Sequence, residues 1–251
     1  MKTVKLKYLA SVFLDADSIT PDTRDVTGLI QTIKDSNLLP FLAQENSTPR
    51  MGFRSLDNET RLLLLSKRFI YEKIRSSPSE KDIGDIEAFC KEAKLKLEST
   101  LSYFERKCYR MSLVQEMVVF DIAQPQLDGI AGRLLNMPPT FSDNLPFEWD
   151  WRCTSSIKRA IGSCQEDTNT IAIVNKRMGT IVKTEGETEE GSSFEEQALD
   201  SLKVTFDINT SHSNTSIRFG TEELEAFLKE SPNWLNALSK EILDFMFEEE
   251  K

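Results

Sequence analysis

"MGFRSLDNETRLLLLSKRFIYEKI", residues 51–74, decides how this 251-residue chain folds. Its two apolar runs are rich in strand-forming residues, and "LDNE" between them places Asp57 and Asn58 where a tight turn wants them. The stretch reads as a hairpin, one strand over "RMGFRS" (50–55) and one over "TRLLLLSKRFIYEKI" (60–74).

Working outward from that hairpin, "KLKYLASVFLDAD" (5–17) reads as a first strand. In "RDVTGLIQTIKDSN" (24–37), Val26, Leu29, Ile30 and Ile33 fall on one helical face, with a start at Asp22 or Thr23 and a stop near Asn37. Ser79 with Asp82 three residues later predicts a capping box. The helix it opens, about 80–106, carries Ile86, Phe89, Ala93, Leu97, Leu101 and Phe104 on one stripe. "YRMSLVQEMVVFDI" (109–122) is another strand. The order β-α-β-β-α-β predicts an N-terminal ferredoxin-like lobe over residues 1–122.

Residues 123–251 predict a second, β-rich lobe with C-terminal helices, so the fold class expected is α+β. "PQLDGIAGRLLNMPP" is a short helix, and "FEWDWRCTSSIKRAI" and "NTIAIVNKRMGTIVKT" are strands joined by the turn-like "GSCQEDTN". "TEGETEEGSSFEEQ" (184–197) holds six glutamates and no basic residue, and reads as a solvated loop. "LKVTFDINTS" and "NTSIRFG" predict a hairpin. Two helices then close the chain, one capped by Thr221 and one by Ser231 with Pro232 at its first position.

The composition is that of a globular chain, 39% hydrophobic and 29% charged, and long enough to bury a core. No stretch approaches the roughly 20 apolar residues of a membrane span. The lysines and apolar run at the start imitate a signal peptide, but Lys7 interrupts the run and acids follow it, so the expected location is cytoplasmic. Cys90, Cys108, Cys153 and Cys164 form no CxxC, and His212 is the single histidine. Free, buried thiols are expected in place of zinc. The formal charge of −10 is uneven: residues 1–110 hold 19 basic and 16 acidic side chains, and residues 111–251 hold 12 and 25. Nucleic acid is therefore an unfavourable partner for the second half.

The chemistry with most support in the residue pattern is a metal site. Asp15 and Asp17 at the end of the first strand, with Asp57 and Glu59 in the hairpin, parallel the two-metal carboxylates of palm-type ferredoxin-like enzymes, and hard oxygen ligands suit Mg²⁺ or Mn²⁺. No glycine-rich phosphate loop accompanies them, and no GxSxG elbow exists. Lys67, Arg68, Lys73 and Arg75 are expected to keep an edge strand soluble. Trp149 and Trp151, with Phe141 and Phe147 nearby, and Glu187, Glu189 and Glu190 in the acidic segment, are candidate partner contacts.

The order of the segments "YLASVFLDAD", "LLPFL", "MGFRSLDNETRLLLLSKRFIYEKI", "RMSLVQEMVVFDI" and "LKVTFDINTS" resembles a sporadically distributed family of two-lobed bacterial α+β proteins without an assigned activity. The resemblance transfers no residue role. The patchy distribution implies mobile loci of the phage-defence or toxin–antitoxin kind. The expectation is a non-catalytic protein-interaction module without cofactor, an accessory or neutralising subunit of such a system with another protein as partner. The alternative is a divalent-metal nucleotidyl transferase or phosphodiesterase using Asp15, Asp17 and Asp57.

Overall fold

The computed structural model describes residues 1–33, 37–75, 83–142, 144–188 and 191–248. The chain is α+β. Its strands are β1 (Lys2–Phe13), β2 (Leu39–Glu45), β3 (Thr48–Arg54), β4 (Thr60–Leu65), β5 (Arg68–Ile74), β6 (Arg110–Phe120), β7 (Trp149–Ile161), β8 (Cys164–Thr188) and β9 (Gly191–Thr210). The helices are α1 (Thr23–Thr32), α2 (Ile86–Tyr103), α3 (Gln124–Leu134), the single turn α4 (Pro139–Ser142) and α5 (Thr221–Phe247). All nine strands join one sheet in the order β2-β3-β4-β5-β1-β6-β9-β8-β7. Every neighbouring pair is antiparallel.

This sheet is larger than a ferredoxin-like lobe requires, and the reason lies in residues 39–74. "LPFLAQE" is itself a strand, turned into β3 through Asn46 and Ser47, both at positive φ. The run 60–74 is two strands that meet at Ser66 and Lys67, where Leu65 pairs with Arg68. Four strands joined by three turns thus stand where one hairpin was expected. Across the other edge, β6 pairs with β9 from Ser112–Asn209 to Val119–Leu202, so strands before and after residue 122 share one sheet.

Register explains which side chains form the core. Ala10 and Val12 line up with Tyr71 and Phe69 on one side, and with Leu113 and Met111 on the other, while Tyr8 on the same face lies between Lys73 and Gln115. Leu113 and Met117 continue to Ile208 and Val204. Strand residues point alternately to the two faces, so these apolar side chains share one face. The helices cover it. Phe89 of α2 packs against the rings of Tyr8 and Tyr71. Phe227, Leu228 and Leu235 of α5 are buried in the same core. Asp22 caps α1 by accepting the Asp25 N–H at 2.8 Å, and Asp85 caps α2 through Ala88. The stripe from Ile86 to Leu101 is buried as its spacing predicts, whereas Ser79 and Asp82 lie outside the described residues.

Three expectations about the second half are corrected. The C-terminal helices are one helix, α5, with Pro232 inside it and Gly220 at its N-cap, where the Glu223 carboxylate accepts the Gly220 N–H at 2.7 Å. The proline removes one backbone bond to Leu228, but Leu228, Ser231, Pro232 and Leu235 are all buried, and packing on both sides carries the helix through. "GSCQEDTN" contributes only Gly162 and Ser163 to a turn, Gly162 adopting φ 59°. "NTSIRFG" is no strand. Phe219 makes one isolated bridge to Cys108, and the Arg218 guanidinium holds the segment by donating to the Glu166 carboxylate and to the carbonyls of Tyr109, Asn214 and Ser216.

Because the core is continuous through β6 and β9, Phe206, which is fully buried, stabilises both ends of the sheet. Phe206→Ala is expected to cost about 3–5 kcal/mol and to leave a single unfolding transition. Urea titration followed by fluorescence and circular dichroism checks this, and two separated transitions would contradict it.

Candidate functional site

The period-2 alternation of β1 continues past its last residue. Leu14 and Ala16 are bonded to the β4–β5 turn, Leu14 N–H donating to the Lys67 carbonyl at 3.1 Å and Ala16 N–H to that of Ser66 at 2.8 Å, and both side chains are buried. Asp15 and Asp17 therefore point outward together. What meets them is the tip of the β4–β5 hairpin. The Lys67 ammonium lies 3.3 Å from Asp15 Oδ1 and 2.9 Å from Asp17 Oδ2. Arg50, at the start of β3, donates to Asp17 Oδ1 and to Glu45 Oε2, each at 3.1 Å. Glu45 also accepts the Ser66 N–H at 2.8 Å.

The cluster sets three carboxylates around an ammonium and a guanidinium, and each carboxylate contacts at least one of the two cations. The Asp17 N–H and then Lys67 hold the Asp15 carboxyl below its ordinary range; Lys67 above all does the same for Asp17. The two aspartates in turn push the Lys67 ammonium up. Lys67 thus occupies the space between the carboxylates that a cation would take.

Asp57 is elsewhere. It lies in the β3–β4 turn, held below its ordinary range by the Ser55 hydroxyl and then by the Glu59 N–H. That turn is beside Ile74, at the opposite end of β4 and β5 from Lys67. The length of β4 separates the two, roughly 20 Å. The expected juxtaposition needed 50–55 and 60–74 to be the hairpin next to β1, but the strand beside β1 is β5 and its turn is Ser66–Lys67. Among the described residues, no group of three or more His, Cys, Asp or Glu side chains is gathered as metal ligands would be.

The remaining candidates are dispersed. Cys90 and Cys108 are buried, and burial pushes each thiol up to about 12; Cys153 and Cys164 are exposed, contrary to expectation. His212 is exposed in a turn. Lys73 and Arg68 belong to β5, an interior strand, not an edge. Trp149 is buried against the core with Trp151 partly so, while Phe141 and Phe147 are 50% and 68% exposed. Phe147, Trp149 and Lys176 line a cleft of about 240 Å³ between α3 and β7.

The acidic segment is strand, not loop. Pairing of β8 with β9 runs from Thr168–Thr210 to Thr188–Gly191 and includes Glu187 opposite Ser192; Glu189 and Glu190 lie outside the described residues. The last rung of β7 is Trp149–Lys176, and that of β6 is Val119–Leu202. From Arg177–Ser201 outward, β8 and β9 are therefore a two-stranded ribbon without a neighbour among the described strands, roughly 40 Å long.

The sheet face opposite the helices carries charged and aromatic side chains. The Arg110 guanidinium lies 4.5 Å from the Phe13 ring centroid, and that of Arg54 lies 5.1 Å from Phe41, whose ring covers Gly52. Lys7 pairs with Glu72 at 3.3 Å and Lys203 with Glu116 at 2.9 Å. Asp207 accepts the Ser112 hydroxyl at 2.9 Å, and burial pushes its carboxyl above the ordinary range. Comparison with known proteins finds no family model, no curated protein and no solved structure that matches this chain.

Millimolar Mn²⁺ is expected to leave the melting temperature of the wild type unchanged; a rise that disappears in Asp15→Asn would restore the metal reading. The raised Asp207 carboxyl has the opposite pH consequence to a paired one. The fold binds its proton more tightly than the unfolded chain does, so its contribution is complete below the unfolded carboxyl range and declines as pH rises through the folded value. Asp207→Asn is expected to raise the melting temperature at pH 7 and to match the wild type near the unfolded aspartate range, as a thermal series over pH measures.

Proposed function

We propose that this protein is a non-catalytic interaction module that engages another protein through the β8–β9 ribbon. One observation supports the reading above the rest: the ribbon continues from Arg177–Ser201 to Thr188–Gly191 with both outer edges unpaired by β7 or β6. An isolated two-stranded hairpin is marginal in water, so a long one extended from a finished core is stabilised by whatever it docks against.

Residues 177–200 contain Arg177 and Lys183 against Glu185, Glu187, Glu189, Glu190, Glu195, Glu196 and Asp200, a net charge of −5. The partner surface that fits is basic. Near the root of the ribbon stands Phe147, apolar and exposed, in the cleft it lines with Trp149 and Lys176, and Leu145, also exposed, lines the same cleft. They supply anchoring contacts that charge alone does not. On the resemblance described above, a toxin or effector of a bacterial defence locus, encoded next to this chain, is the partner class to test first. We also read β4-β5-β1-β6, with α1 and α2, as a ferredoxin-like unit enlarged at both edges; their order in the sheet supports it.

Replacing residues 178–200 with Asn-Gly closes β8 on β9 just beyond the body of the sheet. The expected result is a melting temperature within a few degrees of the full chain and loss of a stoichiometric partner co-purified when the chain is expressed with its gene neighbours. Binding by the full chain should weaken as salt rises. A partner retained by the shortened chain, or affinity indifferent to salt, would overturn the reading.

A further inference from the structure

The end of β7 remote from the ribbon turns into β8 through Gly162 and Ser163, and between that turn and α5 lies a cavity of about 490 Å³. Arg159 of β7 lines it together with Ala226, Lys229, Glu230 and Trp234 of α5. The Arg159 guanidinium lies 4.8 Å from the Trp234 ring centroid, and Trp234 packs in turn against Phe227 in the core. Arg159 Nη1 donates to Thr168 Oγ1 at 2.8 Å and to Thr170 Oγ1 at 3.1 Å. The side chain is therefore held in place, by an aromatic ring and two hydroxyls.

What Arg159 lacks is a counter-ion. A guanidinium taken partly out of water is costly unless an anion answers it, and burial pulls this one below its ordinary range. The acid in register with it on β8 is Glu166, and both oxygens of Glu166 are taken by Arg218, at 2.8 and 3.0 Å. Among the described residues no carboxylate makes a hydrogen bond or ion pair with Arg159, Glu230 included. The Nε–Nη2 edge of the fork, the edge that grips two oxygens at once, thus has no acceptor among the described residues, and solvent reaches it.

We propose that this cavity binds a small phosphate monoester, whose oxygens bridge the open edge of Arg159 and the Lys229 ammonium. Arg159 and Lys229 against Glu230 give the lining a charge of +1, in a chain of −10. A dianion suits two cations better than a monocarboxylate does. Arginine supplies the planar, two-pronged contact and lysine a point charge on a flexible stem. Trp234 keeps the guanidinium plane oriented before a ligand arrives, so little ordering is left for binding to impose. The volume is within the range of small-ligand sites and leaves room beside Ala226 for the organic part of the ester. The length of β7, roughly 40 Å, separates the cavity from Trp149 at the root of the ribbon, so the site is independent of the ribbon's partner.

Calorimetric titration at fixed ionic strength tests the proposal, with phenyl phosphate, inorganic phosphate and benzoate as probes and thermal melts to establish that each variant folds. Phenyl phosphate is expected to bind most tightly, inorganic phosphate less so and benzoate least. Arg159→Gln should raise the phenyl phosphate dissociation constant at least about tenfold. Glu230→Gln removes the one carboxylate of the lining and should lower it, a gain that no loss of structure explains. Should Arg159→Gln not fold, Glu230→Gln decides, because an unchanged affinity there counts against the site. No saturable binding of phenyl phosphate up to about 10 mM overturns the proposal, as does binding that a folded Arg159→Gln leaves unchanged. Benzoate bound as tightly as phenyl phosphate overturns the assignment to phosphate.

Discussion

The pairing of β6 with β9 is the contact on which the rest depends. β6 is held by β1 on one side, and its other edge receives a strand from residues nearly a hundred positions later. Without it the sheet would end at β6 as an open edge, and α5 would lack the β9 side chains it covers. With it, Leu113, Met117 and Val119 continue directly into Ile208, Val204 and Leu202, and one apolar face spans all the strands from β4 to β8. Burial of that face, at roughly 25 cal/mol per Å², offsets the entropy of closing so long a loop.

The same alternation that makes this face also disposes of the most suggestive residues in the chain. Asp15 and Asp17 point the same way because Leu14 and Ala16 are needed inside. Two carboxylates set side by side repel, and the hairpin that packs there answers with Lys67, while Arg50 links Asp17 to Glu45. The arrangement is complete in itself. Asp15, Asp17 and Lys67 are exposed while Arg50 and Glu45 are partly covered, and every charge has a partner of opposite sign, which suits a connection between β1, β3 and the β4–β5 turn better than it suits a reacting centre.

Much of the fold was legible in the sequence: β1, β6, the stripe of α2 and the Asp22 cap follow from periodicity and capping chemistry. What was not legible had weak local signals. Ser66–Lys67 turns the chain without glycine, asparagine or proline, so 60–74 looked like one strand. "LPFLAQE" begins with a leucine and a proline on an edge where half its side chains are exposed, and its alternation is shallow. The clue that was present is Asn46, a residue that tolerates the left-handed conformation it adopts here at φ 48°. Missing the Ser66–Lys67 turn put Asp57 at the wrong end of the sheet, and the candidate metal site followed from the misplacement. The acidic run failed for another reason, since composition marks it as solvated and only the pairing of β8 with β9 makes it strand.

A chain that spends its apolar residues on one sheet face has two assets left for recognition, its open face and its unpaired backbone. Here the open face is largely occupied with itself, Lys7 with Glu72, Lys203 with Glu116, Arg110 on Phe13 and Arg54 on Phe41. The unpaired backbone is concentrated at one end of the sheet, along β7 and along the ribbon that β8 and β9 extend beyond it. Exposed strand edges attract other strands unless proline, a bulge or charge forbids it, and β2 carries such a guard where β7 does not. Guarding one edge and leaving the other open makes the two sides of the sheet unequal.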